Sequence, residues 1–134
     1  MSSIYNTDLV CRIGQHDTFA VPFLMSRHVP LETEEYIFTI RRVLEGHRPM
    51  GKPPVFGDVV FQKVIKYDNL ELIKDENDAV IGCRFYVMAS SEESADIPKG
   101  VNSYDLAIRD TVSGMELELV PPSKFIVGEV LRYE

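Results

Sequence analysis

Apolar and polar residues alternate with a period of two along most of this sequence. Successive side chains of an extended strand point to opposite faces, so the alternation predicts strands with one buried face. The runs lie at residues 9–13, 19–23, 36–40, 58–66, 70–74, 81–88, 104–108, 115–119 and 125–132. Turn-forming residues separate them, as at residues 75–78 and 111–114. We therefore expect about eight or nine strands.

The alternation also assigns the faces of the strands. In the run at residues 81–88, Ile81 is expected to share the core face with the other odd-numbered apolar residues. Leu117 is expected on the apolar face of residues 115–119, while the glutamates that alternate with it face water. Pro22 has no backbone N–H to donate, which places its strand at the edge of a sheet.

One short segment breaks the strand pattern. Ser90 followed three residues later by Glu93 is a capping box, the sequence signature of a helix N-terminus. A proline and a glycine follow closely and end the helix. We expect a short helical turn near residues 91–96 that carries the chain from one sheet to the other, with Ile97 as its buried anchor.

Strand patterns with almost no helical periodicity predict an all-β protein of two packed antiparallel sheets, a β-sandwich. The chain has 134 residues, which is enough for one domain with a sizeable core. We therefore expect a single domain over residues 1–134.

The connection at residues 44–58 is long and contains three glycines and three prolines. It also carries the basic cluster His47, Arg48 and Lys52. Loops of this length in a compact domain are usually functional or mobile. Two interpretations stay open: the basic tip contacts an acidic partner, or the charges keep a solvated loop in water.

The net charge of −7 excludes several classes of partner. An acidic chain repels phosphate backbones and anionic membranes, so we expect neither nucleic acid nor a membrane as a partner. No apolar run approaches the roughly 20 residues that span a bilayer, and the N-terminal sequence lacks the features of a signal peptide. We expect a protein made in a cytoplasm.

Residues with catalytic or metal-binding chemistry are scattered along the chain. His16, His28 and His47 stand alone, without the spacing of a metal site. Adjacent glutamates at residues 34–35 and 92–93 would suit acid and base catalysis, but the sequence does not distinguish such a pair from a hydrophilic surface. We expect no catalytic residue, no metal and no cofactor.

Cys11 and Cys83 both fall on the apolar faces of predicted strands. In a reducing compartment such residues are usually free, buried thiols, and that is the interpretation we favour. A disulfide between the two sheets is the alternative.

Several motifs resemble a known phage family. They are Q-x-D-T-F beginning at Gln15, F-T-I-R at residues 38–41, the polar segment at residues 91–100, Y-D-L-x-I-R-D at residues 104–110, and the closing hairpin at residues 114–130. The order is similar to that of the N-terminal β-sandwich domain of upper baseplate or tail-fibre adaptor proteins in phages and prophages of Gram-positive bacteria. The resemblance runs through most of the chain.

This resemblance implies an immunoglobulin-like module with a structural role and no reaction to catalyse. The expected partners are other virion proteins and further copies of the chain, contacted through edge strands. The strand around Pro22 and the final strand are the candidate edges, and His47, Arg48 and Lys52 form a second candidate contact. The alternative is an immunoglobulin-like module that binds a carbohydrate or another small ligand on exposed aromatics such as Tyr86 or Tyr133.

Overall fold

The computed structural model describes residues 11–14, 18–45 and 55–128. This part of the chain forms eight strands, a 3₁₀ turn and one turn of α-helix. The elements are β1 (Cys11–Gly14), β2 (Phe19–Met25), β3 (Glu34–Glu45), β4 (Val55–Lys66), the 3₁₀ turn (Tyr67–Asn69), β5 (Glu71–Lys74), β6 (Val80–Ala89), α1 (Ser91–Ser94), β7 (Gly100–Asp110) and β8 (Glu116–Gly128).

The strands form two sheets, so the predicted all-β sandwich is confirmed. The large sheet has the order β1-β8-β7-β3-β4, and the small sheet has the order β2-β6-β5. Neighbouring strands are antiparallel except β1 and β8, which run parallel. The prediction of purely antiparallel sheets missed this pair.

Aromatic residues fill the space between the sheets. The large sheet contributes Tyr36, Phe38, Tyr104 and Phe125, and the small sheet contributes Phe85, all almost completely buried. The rings pack directly on one another: the centroids of Tyr36 and Phe85 lie 4.6 Å apart across the two sheets. Such pairs add about 0.5–1.5 kcal/mol to the gain from burial alone.

The predicted helical turn and its capping box are confirmed. The Ser90 side chain accepts a hydrogen bond from the Glu93 N–H at 3.2 Å, and the Ser90 N–H donates to the Glu93 carboxylate at 3.1 Å. The turn connects β6 of the small sheet to β7 of the large sheet. Ile97 is fully buried and anchors the crossing, as expected.

Both predicted hairpin turns are present. Between β5 and β6, the Asp75 carboxylate accepts hydrogen bonds from the backbone N–H groups of Asn77 and Ala79. Between β7 and β8, Gly114 adopts a φ of +77°, a left-handed conformation that glycine tolerates best. Each turn therefore follows from local sequence chemistry.

The structure corrects the limits of the predicted long loop. The loop was expected over residues 44–58, but β3 extends to Glu45 and β4 begins at Val55. Val43 pairs with Phe56, so the two strands continue their ladder into the predicted loop. The register in this part of the ladder is irregular, so the side chains do not follow the strict period of two from which strands were predicted.

Two predicted faces are also corrected. Ile81 is exposed because Ile73 pairs with Gly82 while the next residue, Lys74, pairs with Val80, so Ile81 is the extra residue of a bulge. Leu117 pairs with Ile108 of the core but is itself exposed. The face was assigned correctly, but the small sheet does not cover this end of β8.

The last described strand is an edge over only part of its length. The final predicted strand, at residues 125–132, was expected to present an unpaired edge, but its described part, from Phe125 to Gly128, pairs with β1. Among the described residues, only the stretch from Glu116 to Lys124 has β7 as its single neighbour. β2 does lie at the end of the small sheet in the described part, as Pro22 predicted.

Candidate interaction surface

The outward side of the small sheet carries a cluster of exposed apolar side chains. Pro22 lies opposite Tyr86 in the ladder between β2 and β6, and Leu24 and Met88 lie at neighbouring positions on the same side. Leu24 is 50% exposed, Tyr86 49% and Met88 60%. We call Pro22, Leu24, Tyr86 and Met88 the outer face. Contiguous apolar surface of this kind typically marks a contact site.

The outer face is apolar because β2 and the second half of β6 have no polar residues between their buried residues. In β2 the buried residues alternate with Ala20, Pro22 and Leu24, none of which is polar. In β6 the corresponding residues after Arg84 are Tyr86 and Met88. The sheet therefore presents apolar side chains to both sides.

A groove runs beside the outer face, along the edge of β6 that faces away from β2. Its volume is about 550 Å³, and it lies between β6 and residues Lys63 to Ile65 of β4. The groove exists because β5 pairs with β6 only up to Arg84. The 3₁₀ turn at Tyr67–Asn69 carries the chain from β4 into β5, and the start of β5 at Glu71 leaves the next part of β6 uncovered by any described strand.

Ion pairs bound the groove at both ends. At one end Arg84 donates hydrogen bonds to Glu71, and this contact lowers the pKa of the Glu71 carboxyl. At the other end Lys63 lies 3.1 Å from Glu93. The hydrogen bond from the Ser90 N–H, followed by that from Lys63, lowers the pKa of Glu93. These pairs are exposed, and such pairs contribute little to stability.

The acidic pairs of the sequence have structural partners. Glu34 lies 2.8 Å from the His28 ring, while the neighbouring Glu35 pairs with Arg109. Glu93 belongs to the capping box. Glu34, Glu35 and Glu93 therefore each have a structural partner, and Glu92 is exposed, which favours a hydrophilic surface over an acid and base pair.

Asp105 is the one described carboxylate with a raised pKa. It lies on β7, the central strand of the large sheet, opposite Thr39 of β3. Partial burial raises its pKa most; Arg41 lowers it, and the charges of Glu118 and Glu116 raise it further. Asp105 does not line the groove beside β6. Asp105 therefore lies close to other acidic residues on the outer surface of the large sheet.

Cys83 is a free thiol and is fully buried, as favoured from the sequence. Its sulfur lies 3.5 Å from the hydroxyl of Tyr36, and burial raises the pKa of the thiol. A protonated thiol inside the core is a poor nucleophile. Within the described residues, no group of three or more His, Cys, Asp or Glu is placed to hold a metal ion.

Of the predicted contact residues, the structure places only Pro22. It is exposed, in β2 at the end of the small sheet. His47, Arg48 and Lys52 lie outside the described residues, as do His16 and Tyr133. Leu24 and Met88 were not among the residues predicted from the sequence. The uninterrupted apolar run around each was the available signal, because a strand buried on one face normally has polar residues between its core positions.

Comparison of the sequence with models of protein families finds no match. Comparison with curated proteins also finds none. In the part of the chain that the structure describes, none of the helices has the length and apolar character needed to cross a bilayer.

Proposed function

We propose that this protein is a non-catalytic structural component of a phage or prophage tail or baseplate, which acts by assembling with copies of itself and with other virion proteins. Two lines of support carry the proposal. The motif order resembles that of upper baseplate and tail-fibre adaptor domains. The observation with most weight is the outer face, where Leu24, Tyr86 and Met88 are about half exposed on one side of a sheet.

The chemistry of the outer face favours a protein partner. Interface cores are enriched in aromatic residues and methionine, as Tyr86 and Met88 are here, and depleted in free charge. The charged residue opposite Leu24 is Arg84, and it is paired with Glu71. Pro22 lies in the middle of the face and reduces pairing along the β2 backbone, because it has no N–H to donate. We therefore expect contact through side chains of the outer face more than through the edge of β2.

The proposal predicts that Leu24→Glu weakens self-association without unfolding the protein. The new carboxylate would lie opposite Arg84, which already binds Glu71, and its burial at an interface would cost desolvation and disfavour the complex. Val101→Glu is a matched control, since Val101 is 51% exposed on the opposite sheet and the change in charge is the same. Sedimentation velocity of wild type and both variants measures the assembly. Equal loss of assembly in both variants, or no loss in Leu24→Glu, contradicts the role of this face.

A specific observation supports a second candidate, a module that binds a carbohydrate. Tyr86 is half exposed and also lines the groove, so its ring is accessible to a planar ligand. Aromatic side chains with one apolar face and a polar tip are suited to this role. A glycan array distinguishes the candidates: specific binding that Tyr86→Ala abolishes favours the carbohydrate module.

A further inference from the structure

The direction of the β6 backbone groups can be read from the ladder with β2. In an antiparallel sheet, alternate residues of a strand direct both N–H and C=O toward the same neighbour. Pro22 lacks an N–H and pairs with Tyr86, and proline in a sheet normally turns its nitrogen away from the neighbouring strand. Phe85 and Val87 therefore bond to β2. Tyr86 and Met88 direct their N–H and C=O groups to the other side, into the groove.

No described strand meets these groups. β5 ends its pairing with β6 at Arg84, and the 3₁₀ turn of residues 67–69 diverts the chain before it reaches Tyr86. Neither Tyr86 nor Met88 takes part in a described backbone bond of a turn or loop. The groove thus offers a row of backbone donors and acceptors at the position that a longer β5 would occupy. Such a row is a template for an added strand.

We propose that this groove binds an extended, non-acidic segment of a partner protein, which pairs with Tyr86 and Met88 as an additional strand of the small sheet. The inference rests on the proposed function in one respect, that the partner is a protein. The groove contact differs from the contact proposed for self-association. A partner segment pairs with backbone groups in the groove, whereas self-association uses side chains of the outer face.

Size and charge define the segment. β6 is open from Tyr86 to Ala89, which matches an added strand of about four or five residues at about 3.3 Å per residue. The lining residues between the terminal ion pairs carry no charge, and include Ile65, Phe85 and Met88. The net charge of −7 repels acidic segments and attracts basic flanks. Alternating apolar residues with lysine at the ends therefore complement the groove.

The first test measures hydrogen exchange of backbone amides by NMR. In the protein alone, the amides of Tyr86 and Met88 should exchange at least about tenfold faster than those of Phe85 and Val87, which bond to β2. The probe is a synthetic seven-residue peptide of alternating valine and threonine with a lysine at each end and blocked termini. Binding should slow exchange at Tyr86 and Met88. Slow exchange at these amides in the free protein contradicts the proposal, as does peptide binding without their protection.

N-methylation of the peptide tests the pairing itself. An added strand bonds to β6 through alternate residues only, so either the valine nitrogens or the threonine nitrogens face β6. Methylation of the set that faces β6 should weaken binding by about tenfold or more, and methylation of the other set should have little effect. Equal effects of both patterns, or no detectable binding of the unmodified peptide, contradict the added strand.

A protein variant gives an independent test. Met88→Pro removes the N–H that faces the groove and should abolish peptide binding, whereas Met88→Thr removes the same side chain, keeps the N–H and should retain binding. Thermal melting shows whether each variant is folded. If Met88→Pro does not fold, the methylated peptides still test the backbone pairing on the wild-type protein. These results do not depend on self-association: the groove can fail while Leu24→Glu still disrupts assembly, and the reverse also holds.

Discussion

At the scale of residues, stability depends on a small number of aromatic side chains between the sheets. Phe38 contacts rings from both sheets: its centroid lies 5.5 Å from that of Tyr104 and 6.0 Å from that of Phe23. Removal of this ring would leave a cavity lined by other rings, which are stiff and fill a gap poorly. The cost of a cavity depends on how far its surroundings collapse.

Phe38→Ala should therefore lower the free energy of unfolding by about 3–5 kcal/mol. Urea denaturation measures the change. Tyr86→Ala is the control, because this side chain is half exposed and its removal creates no internal cavity. A Phe38→Ala variant within a few tenths of a kcal/mol of wild type would show that the core is wrongly assigned.

Asp105 predicts a dependence of stability on pH. Burial, Glu118 and Glu116 raise its pKa above the usual 3.8, so the folded state keeps the proton longer than the unfolded state. The stability that Asp105 contributes is fully present below its usual pKa and is lost as the pH rises through its pKa in the folded protein. Asp105→Asn should thus stabilise the protein near neutral pH and have little effect below about pH 3.

Urea denaturation of wild type and Asp105→Asn between about pH 3 and pH 7 checks the sign, since the gain should grow with pH. Asp58→Asn, at an exposed position on β4, makes the same chemical change without the crowding. A variant that is less stable than wild type at neutral pH would show that Arg41 outweighs burial.

At the scale of elements, local chemistry predicted most of the fold. The capping box of Ser90, the hairpin turn at Asp75 and the edge position of Pro22 each follow from neighbouring residues. The parallel pairing of β1 with β8 depends on strands far apart in sequence, so no local pattern predicts it. The groove could not be predicted either, because it results from the place where the 3₁₀ turn leaves the large sheet.

Close contact between β2 and β6 explains why a glycine is needed at position 82. Gly82 of β6 lies against the end of β2, where an added Cβ would overlap the backbone carbonyl of Met25. Backbone atoms cannot move aside as a flexible side chain does. Gly82→Ala should therefore cost about 1–3 kcal/mol of stability, the usual effect of overpacking.

Thermal and urea unfolding of Gly82→Ala test this close approach, with Ile81→Ala as a control at the neighbouring exposed position. Comparable stability of the two variants would mean that β2 and β6 separate easily at this point. The same result would weaken the ladder from which the direction of the Tyr86 and Met88 amides was inferred.

At the scale of the whole molecule, the sandwich combines a closed aromatic core with an open outer face. The net charge of −7 opposes non-specific association, yet Leu24, Tyr86 and Met88 leave one side of the small sheet apolar. An acidic molecule with one apolar side is suited to defined assembly, because charge disfavours other contacts. The proposed structural role in a tail or baseplate requires such a surface.

The most direct test of this role is the absolute mass of the wild-type protein in solution. Light scattering on a sizing column, at several concentrations and two salt levels, measures it against the monomer mass of 15.2 kDa. We expect a defined oligomer such as a trimer or hexamer, retained at the higher salt because an apolar interface is not screened. A monomer at every concentration and both salt levels would contradict self-assembly through the outer face.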